Sequence, residues 1–208
     1  MNKGKLLILA LALICFPMIQ NCGGGGGGGG GTSDVIVADQ LINDGWANME
    51  RGAYTTAQSN LLQAIGSPLT DAQRIAAHNA LGWAYAKDGK INESIQYFEV
   101  AATSSPAENE AKVGLAGSLI WRHQTTEDYK RAAELLGNMP PEKFSSPHSF
   151  LALNSAKVHA LTALAYALSG EMDLAKTYIN KAAALDSMMV GTTVDRIDEA
   201  FQLLGWKD

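Results

Sequence analysis

Cysteine is nearly absent from this 208-residue chain: Cys15 and Cys22 stand close to its start and none follows. The folded part therefore has no disulfide framework and no cysteine-ligated zinc site. Histidine is scarce as well. His78, His123, His148 and His159 are far apart, with no metal-ligand spacing and no nucleophile elbow around them. Basic residues are outnumbered, 16 Lys and Arg against 21 Asp and Glu, which excludes the cationic footprint that a nucleic-acid partner requires. The longest apolar run, Leu6–Phe16, is short of the about 20 residues a transmembrane helix needs. The remaining composition is that of an ordinary globular chain, long enough for one or two small domains.

The chain opens "MNKGKLLILALALICFPMIQNC": two lysines, an apolar run, Pro17 and a short polar approach to Cys22, the order of a secretory signal. The segment resembles a bacterial lipoprotein signal peptide, with Ile19-Gln20-Asn21-Cys22 as its box. Ile19 suits the aliphatic position and Asn21 departs from the usual small residue. Cys15, inside the apolar run, is the poorer rival. The resemblance implies a signal peptide over 1–21 and lipidation of Cys22. Gly23–Gly31 follows. Polyglycine has nothing to bury and the most backbone entropy to lose, so residues 22–33 read as a flexible tether. Its mean reach is roughly 15–18 Å. Gly23 after the cysteine resembles the outer-membrane sorting signal of enterobacterial lipoproteins. The expected location is the cell envelope, lipid-anchored at the outer membrane and facing the periplasm.

From Asp34 onward the chain repeats itself. "GWANMERG" begins at Gly45 and "GWAYAKDG" at Gly82. The fullest unit runs Ile75–Glu108: His78-x-x-Leu81-Gly82-x-x-Tyr85, then Gly89, Ser94-x-x-x-Phe98, Ala101 and Pro106. Residues 78, 81, 82 and 85 share one helical face. Gly82 permits close approach of the following helix, and Gly89 suits a turn with a left-handed backbone. The unit resembles the tetratricopeptide repeat, a helix–turn–helix of about 34 residues. Leu81, Gly82, Tyr85, Phe98 and Pro106 match its pattern, while His78 and Ser94 stand for the usual Trp and Ala.

Ala38–Asp71 and Ala156–Met189 keep the same internal spacings. Glu110–Met139 fits as a degenerate unit only with about four residues inserted around "HQTTED". Capping signals stand at Thr70-x-x-Gln73, Ser105-Pro106-Ala107-Glu108, Thr125-x-x-Asp128 and Thr192-x-x-Asp195. "GNMPPEKFSSPHS" interrupts the array and ends in Ser146-Pro147, read as a helix start that puts His148 in a first turn. A last amphipathic helix, Thr193–Leu204, would cap the array. The expected fold is all-α: a tetratricopeptide-repeat solenoid of about four helix pairs plus the cap, occupying 34–208.

Such a solenoid implies a protein-binding scaffold rather than an enzyme. His78 and His159 hold equivalent repeat positions and read as packing residues, and the remaining polar residues read as scattered. No cofactor or metal is expected. In tetratricopeptide relatives, the first helix of each pair lines a concave groove for a partner peptide or helix. Trp83 lies opposite the packing stripe of its own repeat, so it either lines that groove as an anchor or packs against an adjacent repeat. Trp46 is its equivalent, but it continues the stripe Val35, Ala38, Ile42, Met49, which favours the core. Asn79 and Lys87 stand at polar groove positions, and Leu164 and Leu168 are the groove positions of the last repeat. That helix is apolar nearly all round and should be buried on several sides. The expected role is a membrane-anchored periplasmic adaptor in the assembly of an envelope complex such as a pilus, secretin or barrel. A structural spacer, or an enzyme with an unrecognised site, is the alternative.

Overall fold

Helices begin where a short polar side chain can take an unpaired amide and end where the backbone turns left-handed. The computed structural model describes residues 32–104, 108–139, 144–187, 191–193 and 195–197. The expected signal segment, Cys22, the polyglycine run and most of the Thr193–Leu204 helix lie outside the described residues. Among the described residues stand eight α-helices: α1 Thr32–Glu50, α2 Tyr54–Ile65, α3 Asp71–Lys87, α4 Ile91–Ser104, α5 Asn109–Arg122, α6 Thr126–Gly137, α7 Ser155–Ser169 and α8 Met172–Leu185.

Thr70 and Gln73 form a reciprocal capping box at α3, and Thr125 accepts from the Asp128 amide at α6. Thr192 and Asp195 make the same reciprocal pair at the start of the last helical turn described. Of the Ser105–Glu108 signal only Glu108 is described. It caps α5 without a side-chain hydrogen bond. Gly89 and Gly170 close α3 and α7 with φ of +76° and +90°, a backbone that L side chains adopt only at a cost.

The order of contacts defines two layers. Each helix packs on its sequence neighbours, and α1 also touches α3, α3 touches α5, and α5 touches α7. The odd-numbered helices thus form the crowded inner layer and face the concave side of the solenoid.

One ring sets the spacing of that inner layer. Phe98 of α4 is fully buried between two glycines of different helices. A Cβ added to Gly82 of α3 would lie 2.6 Å from its ring, and one added to Gly114 of α5 would also overlap it. Gly45 does the same for Leu61 in the first pair, where a Cβ would meet Leu61 at 2.6 Å. The expectation for Gly82 is met, and Gly114 adds a second close approach across the boundary between repeats.

A second cluster occurs twice. His78 lies 5.9 Å from Tyr97, which stacks on Tyr85 at 5.3 Å. His159 lies 5.8 Å from Tyr178, which stacks on Tyr166 at 5.4 Å. Both histidines therefore pack against aromatic rings, as their shared repeat position implies.

Two expectations are corrected. The turn between α5 and α6 is three residues, 123–125, the same length as the turn 88–90 between α3 and α4. No insertion is present, and His123 supplies the left-handed residue at φ +39°. Superposing turn on turn sets Val113, Ala116, Gly117 and Ile120 where His78, Leu81, Gly82 and Tyr85 stand. Ser146-Pro147 starts no α-helix either. Residues 144–154 form an irregular strap containing one 3₁₀ turn, Ser149–Leu151, and α7 begins after Asn154, which accepts from the Lys157 amide.

Gly114→Ala should cost about 1–3 kcal/mol by overpacking the Phe98 ring. Since neighbouring units share that ring, the whole urea transition should move to lower denaturant. A midpoint that stays unchanged would show that the α4–α5 contact yields freely.

Candidate functional site

The strap crosses the concave face and divides it. Trp46 of α1, half-buried, stacks on the His148 ring at 3.4 Å with planes 14° apart, and Phe150 meets the same indole edge-on at 6.1 Å. Beneath them lies Glu110 at the start of α5, 4% exposed. It accepts from the Asn79 amide at 2.8 Å, from the Ser146 hydroxyl, and faces His148 Nδ1 at 3.0 Å. A buried carboxylate is costly unless it is hydrogen-bonded and paired. Burial alone pushes the Glu110 pKa up, but His148, Ser146 and Asn79 together hold it below the ordinary glutamate value. Neighbouring Glu108 moves the other way, raised first by burial and then by the charge of Glu110. These groups border a cavity of about 320 Å³ with Trp46, Ile75 and Pro147.

Here the polar residues are not scattered: α3, α5 and the strap bring five of them together. Their arrangement is a clasp. The Ser146 hydroxyl donates to Glu110 and not to the imidazole. Among the described residues, no group of three or more His, Cys, Asp or Glu side chains is placed to hold a metal ion.

On the other side of the strap lies the larger cavity, about 590 Å³, within the size range of ligand sites. Trp83 and Lys87 of α3, Gly114, Gly117 and Trp121 of α5, and Lys157 and Leu161 of α7 line it, with Leu151–Leu153 of the strap along one side. The expectation that Trp83 turns away from the second helix of its own repeat is corrected: it packs on α4 of that repeat. Its ring packs edge-on against Phe98 at 5.3 Å, and it also borders the cavity. Its buried indole N–H has no acceptor among the described residues. Trp121 is 45% exposed and stands at the other end of the same cavity. Lys87 lies at the rim, its pKa lowered first by partial burial and then by the nearby Lys157 charge.

The other candidates separate. Asn79 is buried and committed to Glu110 and Glu108. The outer face of Trp46 is covered by His148. Leu164 is 1% exposed and belongs to the central core with Leu119 and Leu136, so it is not a groove residue. α7 is pressed between α6 and α8, and it is buried on several sides as its composition predicts. Leu168 is 38% exposed but lies off both cavities. Sequence reasoning missed Trp121, Lys157, Glu110 and the strap. The corrected α5 register would have flagged Trp121, which stands one residue beyond the place of Tyr85.

A family model described as tetratricopeptide repeat matches residues 75–108, the span of the fullest unit. Solved structures of similar shape include MamA of AMB-1, 19% identical with a TM-score of 0.57 over 82% of this chain and 84% of that one. TTC0263, a thermophilic TPR protein of Thermus thermophilus, is 18% identical with a TM-score of 0.54 over 81% and 84%. No curated protein matches the chain in sequence. At these identities the structural likeness shows the fold. Residues 75–108 match the tetratricopeptide repeat, and the described residues share the all-α solenoid architecture of these structures.

Because the folded Glu110 pKa lies below its unfolded value, its contribution is present above the ordinary glutamate pKa and is lost as pH falls through the folded value. Glu108, raised by folding, offsets part of this. Hydrogen exchange at the amides of 146–152 should therefore accelerate on acidification below the ordinary glutamate range. Glu110→Ala should cause the same opening at neutral pH, at a cost of about 1.5–3 kcal/mol per lost charged hydrogen bond. Protection of the strap that is equal in wild type and Glu110→Ala would show that Trp46 stacking alone holds it.

Proposed function

We propose that this protein is an interaction adaptor, held at a bacterial membrane through lipidated Cys22 and the Gly23–Gly31 tether. It faces the periplasm and serves the assembly of an envelope complex. Its partner docks as a peptide or helix on the concave face. The open cavity bounded by Trp83 and Trp121 carries this reading. Tryptophans are frequent interface anchors, and α3, α5 and α7 hold the two rings on packed elements. The strap occupies the other half of the face, which directs a partner to this one. No helix among the described residues is long and apolar enough to cross a membrane.

Trp121 is the better test residue, since Trp83 also packs against Phe98. Trp121→Ala should weaken partner binding by about 2 kcal/mol, roughly thirtyfold, while the circular dichroism melt moves by only a few degrees. The readout is crosslinking to envelope proteins beside the melt. Crosslinking at wild-type strength would mean that the partner docks elsewhere. Trp83→Ala should lower both binding and stability, the latter by about 3–5 kcal/mol as buried Trp truncations do.

Anchoring has its own test. Cys22→Ala should move the protein from the membrane fraction to the soluble periplasmic fraction, with loss of fatty-acid labelling. Labelling that persists in Cys22→Ala would reassign the lipid to Cys15.

A further inference from the structure

The strap does not fill its own half of the concave face. A cavity of about 320 Å³ stays open beside it, with apolar lining from Trp46, Ala72 and Ile75 and polar lining from Asn79, Glu108 and Glu110. The polar groups there are acceptors in excess. Glu110 already takes Asn79, Ser146 and His148. Glu108 takes a long bond of 3.4 Å from the same Asn79 nitrogen. That nitrogen is directed at two carboxylates, which fixes the orientation of the amide and leaves its oxygen as the free end. The Asn79 Oδ1 is buried without a donor among the described residues, on a side chain 4% exposed. A buried acceptor in that state costs free energy until a donor reaches it. Burial, and then the Glu110 charge, raise the Glu108 pKa, and His148 and Lys112 offset part of that rise.

Three acceptors, two of them acidic, beside an indole and aliphatic walls define their complement. It is a positive, flat group with several N–H donors, carried on an apolar stem. Arginine has this form, with five N–H groups in a planar fork. Its methylenes suit the Trp46 and Ile75 surface, and a cation beside Glu108 and Glu110 relieves their mutual repulsion. Resting on the adaptor reading above for its occupant, we infer that this cavity takes an arginine side chain of the partner protein, its guanidinium set against Glu108 and the Asn79 carbonyl oxygen. Glu110 stays in the clasp and contributes its charge. Lysine offers a compact point charge in place of the fork, and a neutral side chain offers no charge at all. The site lies across the strap from the Trp83–Trp121 cavity, so a partner seated there would reach it over the strap.

The full chain in detergent micelles is titrated with three fluorescein-labelled, amidated peptides, read by anisotropy. They are Ser-Ala-Arg-Ala-Ser and the same peptide with citrulline or lysine in place of arginine. Citrulline keeps the shape and loses the charge. The arginine peptide should bind about tenfold more tightly than either, and its advantage over citrulline should shrink as salt rises. Glu108→Gln should abolish that advantage. The Glu108 side chain makes no capping bond at α5, so the helix start is kept, and unchanged exchange protection at 146–152 checks the clasp. Ala72→Leu, at an exposed position of α3, should narrow the cavity and weaken the arginine peptide to the citrulline level. Equal binding of arginine and citrulline, or an advantage that survives in both variants, would overturn the site. Lysine bound as tightly as arginine would overturn the planar fork. No binding by any peptide, with Trp121→Ala still losing its envelope crosslinks, would overturn the arginine site while sparing the adaptor. Arginine selectivity lost in Glu108→Gln, beside crosslinks unaffected by Trp121→Ala, would support this site and remove the Trp121 one.

Discussion

The Phe98 ring, held between positions that carry no Cβ on two different helices, fixes the distance between α3 and α5. A buried phenyl ring contributes a large dispersion and transfer term, but only if its neighbours close around it without a gap. Glycine at 82 and 114 lets two backbones do so. The consequence reaches the surface. With the ring seated this deeply, Trp83 meets it edge-on, and the other face of the indole is left to border the cavity. The same residue is thus core on one side and candidate binding surface on the other, because aromatic rings are large enough to serve both. Gly114 in turn forms part of the cavity floor, so the contact that packs the core also shapes the recess.

The strap answers a different constraint. Glu110 stands near the first turn of α5, where its charge favours the helix dipole but burial opposes ionisation. Asn79 alone gives it one good hydrogen bond. Ser146 and His148 supply the rest from a segment distant in sequence. An acid so placed recruits the strap, and the strap in turn covers Trp46. The groove position at the first repeat is therefore occupied by the protein's own side chains. What remains open lies toward the C-terminal end of α3, where Lys87, Trp121 and Lys157 converge.

Local rules are enough for the helices. The 78/81/82/85 stripe, the capping pairs at Thr70, Thr125 and Thr192, and the glycine at the end of α3 each act within a few residues, and each is legible from a short window. The degenerate unit defeats such a window because its landmarks have changed identity. Val113 stands for His78, Ala133 takes the place of Phe98, and His123 fills a turn position that glycine holds elsewhere. Aligning on Ala132 and Leu136 therefore demands an insertion that the chain does not contain. The clasp is invisible for a deeper reason. Glu110 and His148 are separated by an intervening helix, and nothing in either neighbourhood signals their meeting. The expected lipidation signal and the proposed partner are of another kind, resting on motif and chemistry outside the described fold.

Repeat equivalence specifies backbone position and leaves the surroundings free. Trp83 and Leu164 occupy the same place in their units, yet one borders a cavity and the other is sealed in the core. The difference lies in what neighbours each helix: α3 faces the concave side along its length, whereas α7 is enclosed by α6, α8 and the strap. A plain solenoid has only nearest-neighbour interfaces, so its repeats behave as a one-dimensional array. The Trp46–His148 stack breaks that rule by tying α1 to a segment beyond α6. Opening either end then disturbs the other, since the clasp fails when α1 or α5 moves. The strap therefore adds a cooperative link between the ends of the array, on the same face where a partner would bind.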